Sequence, residues 1–312
     1  MHRRLSRPGT RLVSARNNRP RRQRCRRRSA RRDCASENEI SARQPQFDRH
    51  PSDDVVNGEA QRLPDPATNR MINLASFDRL GRLQDLTTAD YLANTLALVE
   101  PLQTAAPHIA VMSGWSAIES LLVGPADRED IVAARRFSLI IAASLMRAEF
   151  TWLAKTYTSE NDDADAQALD GCQTNIERAK LFQMLAFTRP DLTLTDATDS
   201  LALQRVRPAL QNPRREITNI AEIVTREFTR LYRKRNMVVH GGQIHGANLH
   251  SISETLTPLI GAGIDRIVHA ELQFGVPPIE LSAIAEARVD YLSPTASDSG
   301  GGLLDLLEHP VR

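Results

Sequence analysis

The sequence predicts an all-α protein, an antiparallel helical bundle. Three observations carry this. Hydrophobic residues make up 41 % of the 312 residues and aromatics only 4 %, which suits an Ala/Leu/Ile-packed helical core better than a sheet rich in β-branched and aromatic residues. From about residue 72 onward, apolar residues recur at steps of three and four. No segment shows the strict alternation of a half-buried strand.

The elements follow in order. Residues 1–70 are rich in Arg, Asn, Pro, Ser and Asp without a sustained apolar period, and are expected to be a disordered tail. Its Arg-rich part reads as a tail without a folded role. A nucleic-acid-binding arm, an organelle transit peptide, or sequence upstream of a start at Met71 are the other readings. Residues 71–292 form one helical domain, with segments at 87–105, 107–123, 128–157, 173–187, 196–211, 214–240, 247–274 and 278–291. Pro107 and Pro278 stand at helix starts, where a missing N–H does little harm. Asp127 and Pro213 mark further boundaries, and Gly124-Pro125 separates the second and third segments. The acidic stretch 158–172 reads as a loop and opens an insertion near 158–213. Residues 293–312 are expected to be a flexible tail. It begins as a Ser/Gly linker and carries Leu303-Leu304-Asp305-Leu306-Leu307, a piece able to dock back or on a partner.

Charge divides the chain. Residues 1–32 hold 14 arginines and no acid, so residues 33–312 carry 26 Lys+Arg against 38 Asp+Glu, a formal −12. Any nucleic-acid contact in the body must therefore be a local basic patch. Three cysteines, Cys25, Cys34 and Cys172, suggest neither a disulfide framework nor a Cys-based zinc site. A reducing, cytoplasmic setting is the expectation. The longest apolar run, Phe137 to Met146, has ten residues between Arg136 and Arg147, about half the ~20 a membrane span needs. No membrane association is expected. His240, His245 and His250 recur every five residues, which puts no two on one helical face, and no Cys, Asp or Glu lies among them, so neither a metal nor another cofactor is expected.

The segment 214–240 concentrates the chemistry. Its apolar stripe runs Ile217, Ile220, Val224, Phe228, Leu231, and the next step of four lands on Arg235. A guanidinium on a core-facing stripe is costly unless paired, and Glu119 is a natural partner. Alternatively Arg235 faces an interface or cleft and grips phosphate; the two readings are compatible. A second stripe, Arg226, Arg230, Arg233, Met237, His240, makes a basic track fit to follow a phosphate backbone. As a plain solvated face, it would be laced by Glu222 and Glu227. Asn236 and His240, four apart, share a face. Arg235 and His240 lie roughly 140° apart around an ideal helix. Either the Gly241-Gly242 end unwinds the last turn, or the site is built across a dimer.

Arg235-Asn-x-x-x-His240 resembles the R-x4–6-H signature of the HEPN superfamily. Gly114-Trp-Ser-Ala-Ile-Glu119-Ser-Leu-Leu122, followed by Ala134-Arg-Arg-Phe137, is similar to earlier helices of the Apea-like HEPN group. The resemblance covers roughly residues 87–245. It implies a HEPN-type bundle, a homodimer with both motifs at a shared cleft, and a metal-independent endoribonuclease of bacterial defence or stress response. A protein partner such as an antitoxin is part of that setting. In this reading His240 moves protons and Arg235 stabilises phosphoryl charge. Asn236 orients His240 or the scissile phosphate, Glu119 positions Arg235, and Arg226, Arg230 and Arg233 hold RNA. The alternative is a catalytically inactive HEPN module that binds a partner protein, RNA or nucleotide.

Overall fold

Helices form where the apolar period runs. The computed structural model describes residues 55–56, 59–60, 72, 74, 90–129, 131–242, 247–292 and 302–308. Among them nine helices occur: α1 (Asp90–Thr104), α2 (Pro107–Leu122), α3 (Val132–Glu160), α4 (Ala164–Asp170), α5 (Asn175–Thr188), α6 (Ala197–Gln211), α7 (Pro213–Gly241), α8 (Ala247–Phe274) and α9 (Pro278–Tyr291). They belong to the unit 62–312; a separate unit spans 1–61. In that first unit a two-residue strand β1 (Val55–Val56) pairs antiparallel with β2 (Glu59–Ala60). The pair falls inside the stretch expected to be a disordered tail. The rest of 1–71, with Cys25, Cys34 and Met71, lies outside the described residues, as do His245 and most of the Ser/Gly linker. All other elements are helical, so the all-α expectation holds for the described body.

Local chemistry sets the helix boundaries. Pro107, Pro213 and Pro278 open α2, α7 and α9. Thr174 and Glu177 form a reciprocal capping box at α5. Asp196 accepts from the backbone N–H groups of Thr198 and Asp199 at α6. One expectation needs correction. The stretch 158–172 is not a single loop: α3 continues to Glu160, and α4 occupies Ala164–Asp170. Asp163 caps α4 by accepting from Ala166 N–H at 2.8 Å. Ala166 and Leu169 are buried. The acids that make this stretch read as a loop serve as its cap and its solvent face.

α3 is the central helix and packs against every helix from α2 to α9. It has the length and composition of a membrane span, with a mean hydropathy of 1.3 over 18 residues, but 56 % of that window is buried inside the protein. Its apolar surface is matched by protein neighbours. Phe137, fully buried, meets Phe228 of α7 edge-on at 5.2 Å between ring centres. On its other side lies α8 at Gly263, where an added Cβ would stand 2.4 Å from the Phe137 ring. Glycine is required there for the two helices to approach. α1 and α2 run antiparallel, with Thr95 facing Ser120 and Leu98 facing Ser113. The expected insertion becomes α4, α5 and α6, all packed on α3.

The C-terminal expectation also changes. Within the stretch expected to be flexible, Leu303, Leu304, Leu306 and Leu307 are buried. Arg288 donates to the carbonyls of Asp305 and Glu308. Arg266 donates to the Leu307 carbonyl at 2.7 Å and to Glu308 at 3.0 Å. Lys180 pairs with Asp305 at 2.8 Å, and Arg147 pairs with Glu308. The leucine-rich piece docks back on its own body.

Leu306→Ala should therefore lower the unfolding free energy by about 2–4 kcal/mol, the range for emptying a buried leucine site. A denaturant titration that matches the parent would show that the segment is not part of the cooperative unit.

Three carboxyls give the fold an acid limit. Asp127 is held below the ordinary 3.8 by hydrogen bonds from Arg136 and then from Gly124 N–H. Asp163 is lowered by the Tyr157 hydroxyl and then by Ala166 N–H. Asp196 is lowered by the N–H groups of Asp199 and Thr198. The unfolded chain binds protons to these groups more readily than the fold does. Their stabilisation is thus present above the ordinary carboxyl value and lost as pH falls through the lower folded values. The urea midpoint should fall as pH is lowered from about 5 to 3, and Asp127→Asn should flatten that dependence.

Candidate functional site

α7 carries the candidate residues and is fixed at both ends. Asn212 accepts from Arg215 N–H, and Pro213 follows it in the first turn. Gly242, at φ 61° and ψ 18°, adopts the left-handed conformation and donates back to the carbonyls of Met237 and Val238. The expected stripe is buried: Ile217, Val224, Phe228 and Leu231, with Ile220 partly covered and Val238 continuing it. Arg235 lies on this line, one turn beyond Leu231. Its side chain keeps 27 % of its accessibility, so the guanidinium sits on the core-facing stripe between buried Leu231 and buried Val238 without being fully buried itself.

Glu119 is its ion-pair partner. Arg235 Nη2 stands 3.9 Å from Glu119 Oε2, and the Glu119 side chain is 42 % exposed. The contact is long and wet, which places it among weak pairs. One turn earlier on both helices, the buried Trp115 packs on Tyr232 with ring centres 4.9 Å apart. The two contacts occur in the same chain order, so α2 and α7 run in one direction. The end of α2 is pinned from α3: Arg136 donates to the Leu122 carbonyl at 2.6 Å and forks onto Asp127 at 2.6 and 3.1 Å. Asp127 also accepts from Gly124 N–H at 2.6 Å. This staple fixes the turn of α2 that carries Glu119. Sequence reasoning did not assign Tyr232 or the Arg136–Asp127 pair. Tyr232 is three residues before Arg235, and that spacing was the available signal.

Asn236 Oδ1 accepts from Arg235 Nη1 at 3.0 Å; among the described residues its side chain bonds to the guanidinium. α7 remains helical through Gly241, so the last turn does not unwind. The roughly 140° between Arg235 and His240 therefore stands within one chain. His240 is exposed at the end of the outer face. Arg226, Arg230 and Arg233 lead to it and are all exposed, as the basic track requires. Arg230 is held by Glu227 at 2.9 and 3.1 Å, which is the helical pairing expected of a solvated face. Arg226 and Arg233 make no ion pair among the described residues. Beside His240 two apolar side chains are exposed, Met237 at 39 % and Val239 at 49 %.

The structure thus brings together Glu119, Arg235 and Asn236 and sets His240 apart on the adjoining face. No family model matches this sequence, no curated protein matches it, and no solved structure matches its fold. The resemblance to HEPN proteins rests on the residues of α2, α3 and α7 alone.

The two layers of this site should respond differently to mutation. Glu119→Gln should cost less than about 1 kcal/mol, since it removes a long, partly exposed pair. Trp115→Ala should cost about 3–5 kcal/mol by emptying a fully buried ring site. Equal losses in chemical denaturation would show that Glu119 is a structural staple.

Proposed function

We propose that the chain is a metal-independent endoribonuclease of HEPN type that works as a homodimer. The observation that carries this is Arg235. It is a partly exposed guanidinium on a core-facing stripe, bonded to Asn236 at 3.0 Å and with the Glu119 carboxylate 3.9 Å away. An arginine so held presents its fork without first having to order itself. The exposed basic track on the neighbouring face supplies a path for the phosphate backbone in a body that is otherwise acidic.

In this chemistry the RNA 2′-oxygen attacks the adjacent phosphorus. The 2′-proton passes to His240, and the bond from phosphorus to the 5′-oxygen breaks. A proton returns to that oxygen, leaving a 2′,3′-cyclic phosphate. Arg235 stabilises the negative charge that grows on the phosphoryl oxygens. His240 suits proton transfer because imidazole ordinarily titrates near neutrality. The angle between Arg235 and His240 favours a site completed by a second protomer, and exposed Met237 and Val239 offer apolar contact at that end of α7.

A second reading has its own support. Arg235 already has two partners, and His240 points elsewhere in the single chain. A non-catalytic HEPN module that binds RNA, a nucleotide or a partner protein would tolerate that arrangement.

Cleavage of RNA by the purified chain in EDTA separates these readings. His240→Ala should reduce cleavage by roughly 10²–10⁴-fold while RNA binding largely survives. Arg235→Ala should harm both, and Arg226→Ala should weaken binding and flatten its salt dependence. Light scattering should give twice the chain mass. Cleavage that survives His240→Ala would overturn the catalytic role of His240, and a monomer that cleaves at full rate would overturn the homodimer; RNA binding without cleavage would support the module.

A further inference from the structure

A second cationic cluster lies away from α7. A cavity of about 450 Å³ opens between α3, α8, the start of α5 and the docked C-terminal segment. Its charged lining includes Arg147 and Lys155 from α3, and Asp265 and Arg266 from α8. The exposed Trp152 stands at the rim, with its Nε1–H donating to Asp199 at 2.8 Å. No residue of α7 takes part. The Glu308 carboxylate enters from the C-terminal segment and is gripped by both Arg147 and Arg266, the latter at 3.0 Å.

Two guanidinium groups converging on one carboxylate form an oxyanion cradle with its own occupant. With Glu308 in place, the Arg, Lys, Asp and Glu side chains of the lining sum to +1; with its carboxylate withdrawn they sum to +2. That matches a dianion. The backbone of the segment need not leave: four buried leucines and the Arg288 bonds to the carbonyls of Asp305 and Glu308 hold it down. Only the Glu308 side chain has to swing outward. The cavity has the size of a small-molecule site, too small for a duplex or a folded partner. The indole of Trp152, 60 % exposed yet fixed by Asp199, offers an apolar surface to whatever carries the anion.

We propose that this cavity binds a small aromatic phosphate monoester, with its phosphate replacing the Glu308 carboxylate between Arg147 and Arg266 and its ring lying against Trp152. Glu308 acts as a built-in competitor that keeps the cradle filled when the ligand is absent. The site is independent of the α7 reading, because the two share no residue.

Phenyl phosphate is the probe, titrated into the full chain by calorimetry and by tryptophan fluorescence. Trp115 is buried against Tyr232, so a fluorescence change reports on Trp152. The expected result is saturable binding at one site per chain, weaker for the monoanion phenyl sulfate. Glu308→Gln should tighten binding at least about tenfold by removing the competing charge. Arg147→Gln should weaken it by about as much. Arg266→Gln also breaks a bond to the Leu307 carbonyl, so Lys155→Gln, at an exposed position, serves as the variant that leaves the fold intact. Near-UV circular dichroism checks each fold. The proposal is overturned if parent and Glu308→Gln both fail to bind, if Glu308→Gln binds no more tightly than the parent, or if folded Arg147→Gln and Lys155→Gln bind as the parent does.

Discussion

The arrangement of this bundle depends on one ring. Phe137 stands near the start of the central helix and touches two others: Phe228 of α7 edge-on, and α8 at Gly263, where no side chain intervenes. A larger residue at 263 would push α8 away. A smaller residue at 137 would leave a void facing α7. Because interiors are close-packed, neither change can be absorbed locally. Phe228 lies two turns before Arg235 on the same face of α7. The contact that locks α7 into the core therefore also bears on the depth of the guanidinium.

That depth matters for what Arg235 can do. Deep burial would require a close, fully bonded counter-ion, and removing either partner would then destabilise the fold. Full exposure would let the side chain wander. The observed state lies between, with partial cover, one hydrogen bond to the adjacent Asn236 Oδ1 at 3.0 Å and a long contact to Glu119. Orientation comes from the first and electrostatic balance from the second. Glu119 is in turn placed by the Trp115–Tyr232 contact below it and the Arg136–Asp127 staple beyond it. Since α2 and α7 run in the same direction, the turns that carry Glu119 and Arg235 form one surface. His240 belongs to the next face of that surface, and the helical run through Gly241 keeps it there.

Much of this was legible in the sequence. The buried stripe of α7, the arginine that interrupts it, the Glu119 partner and the exposed track all follow from steps of three and four. Helix starts at Pro107, Pro213 and Pro278 follow from the missing N–H. Short-range exceptions were harder. α4 is seven residues long, below the length at which periodicity rises above the noise of composition, and its acids suggest a loop until Asp163 is seen as a cap. Asn236 bonds to its own neighbour. An i,i+1 side-chain contact has no place in a helical-face argument, and it depends on the rotamer of a long guanidinium. The docking of residues 303–308 was open for another reason. A leucine-rich piece after a linker states that it will be buried, but not against what, and the receiving groove is assembled from α3, α5, α8 and α9.

In this acidic body several cationic features come with a carboxylate, Arg226 and Arg233 being exceptions among the described residues. Arg136 has Asp127, Arg230 has Glu227, Arg235 has Glu119, and Arg147 with Arg266 has Glu308. An incoming phosphate at any of these must compete with a resident anion, and the terms of that competition differ. Asp127 is bonded to a backbone N–H as well as to its arginine, so it belongs to the fold. Glu227 sits one helical turn from Arg230, and its exposed partner can turn away at little cost. Glu119 is too distant from Arg235 to form a tight bond and leaves the guanidinium edge open. Glu308 sits at the end of a docked segment and is held by two arginines, so displacing it requires a ligand that satisfies both. Graded this way, the carboxylates separate those that belong to the fold from those that a competing anion would have to displace. By that measure Glu119 and Glu308 are the residents that the phosphates proposed for Arg235 and for the Arg147–Arg266 pair would meet first.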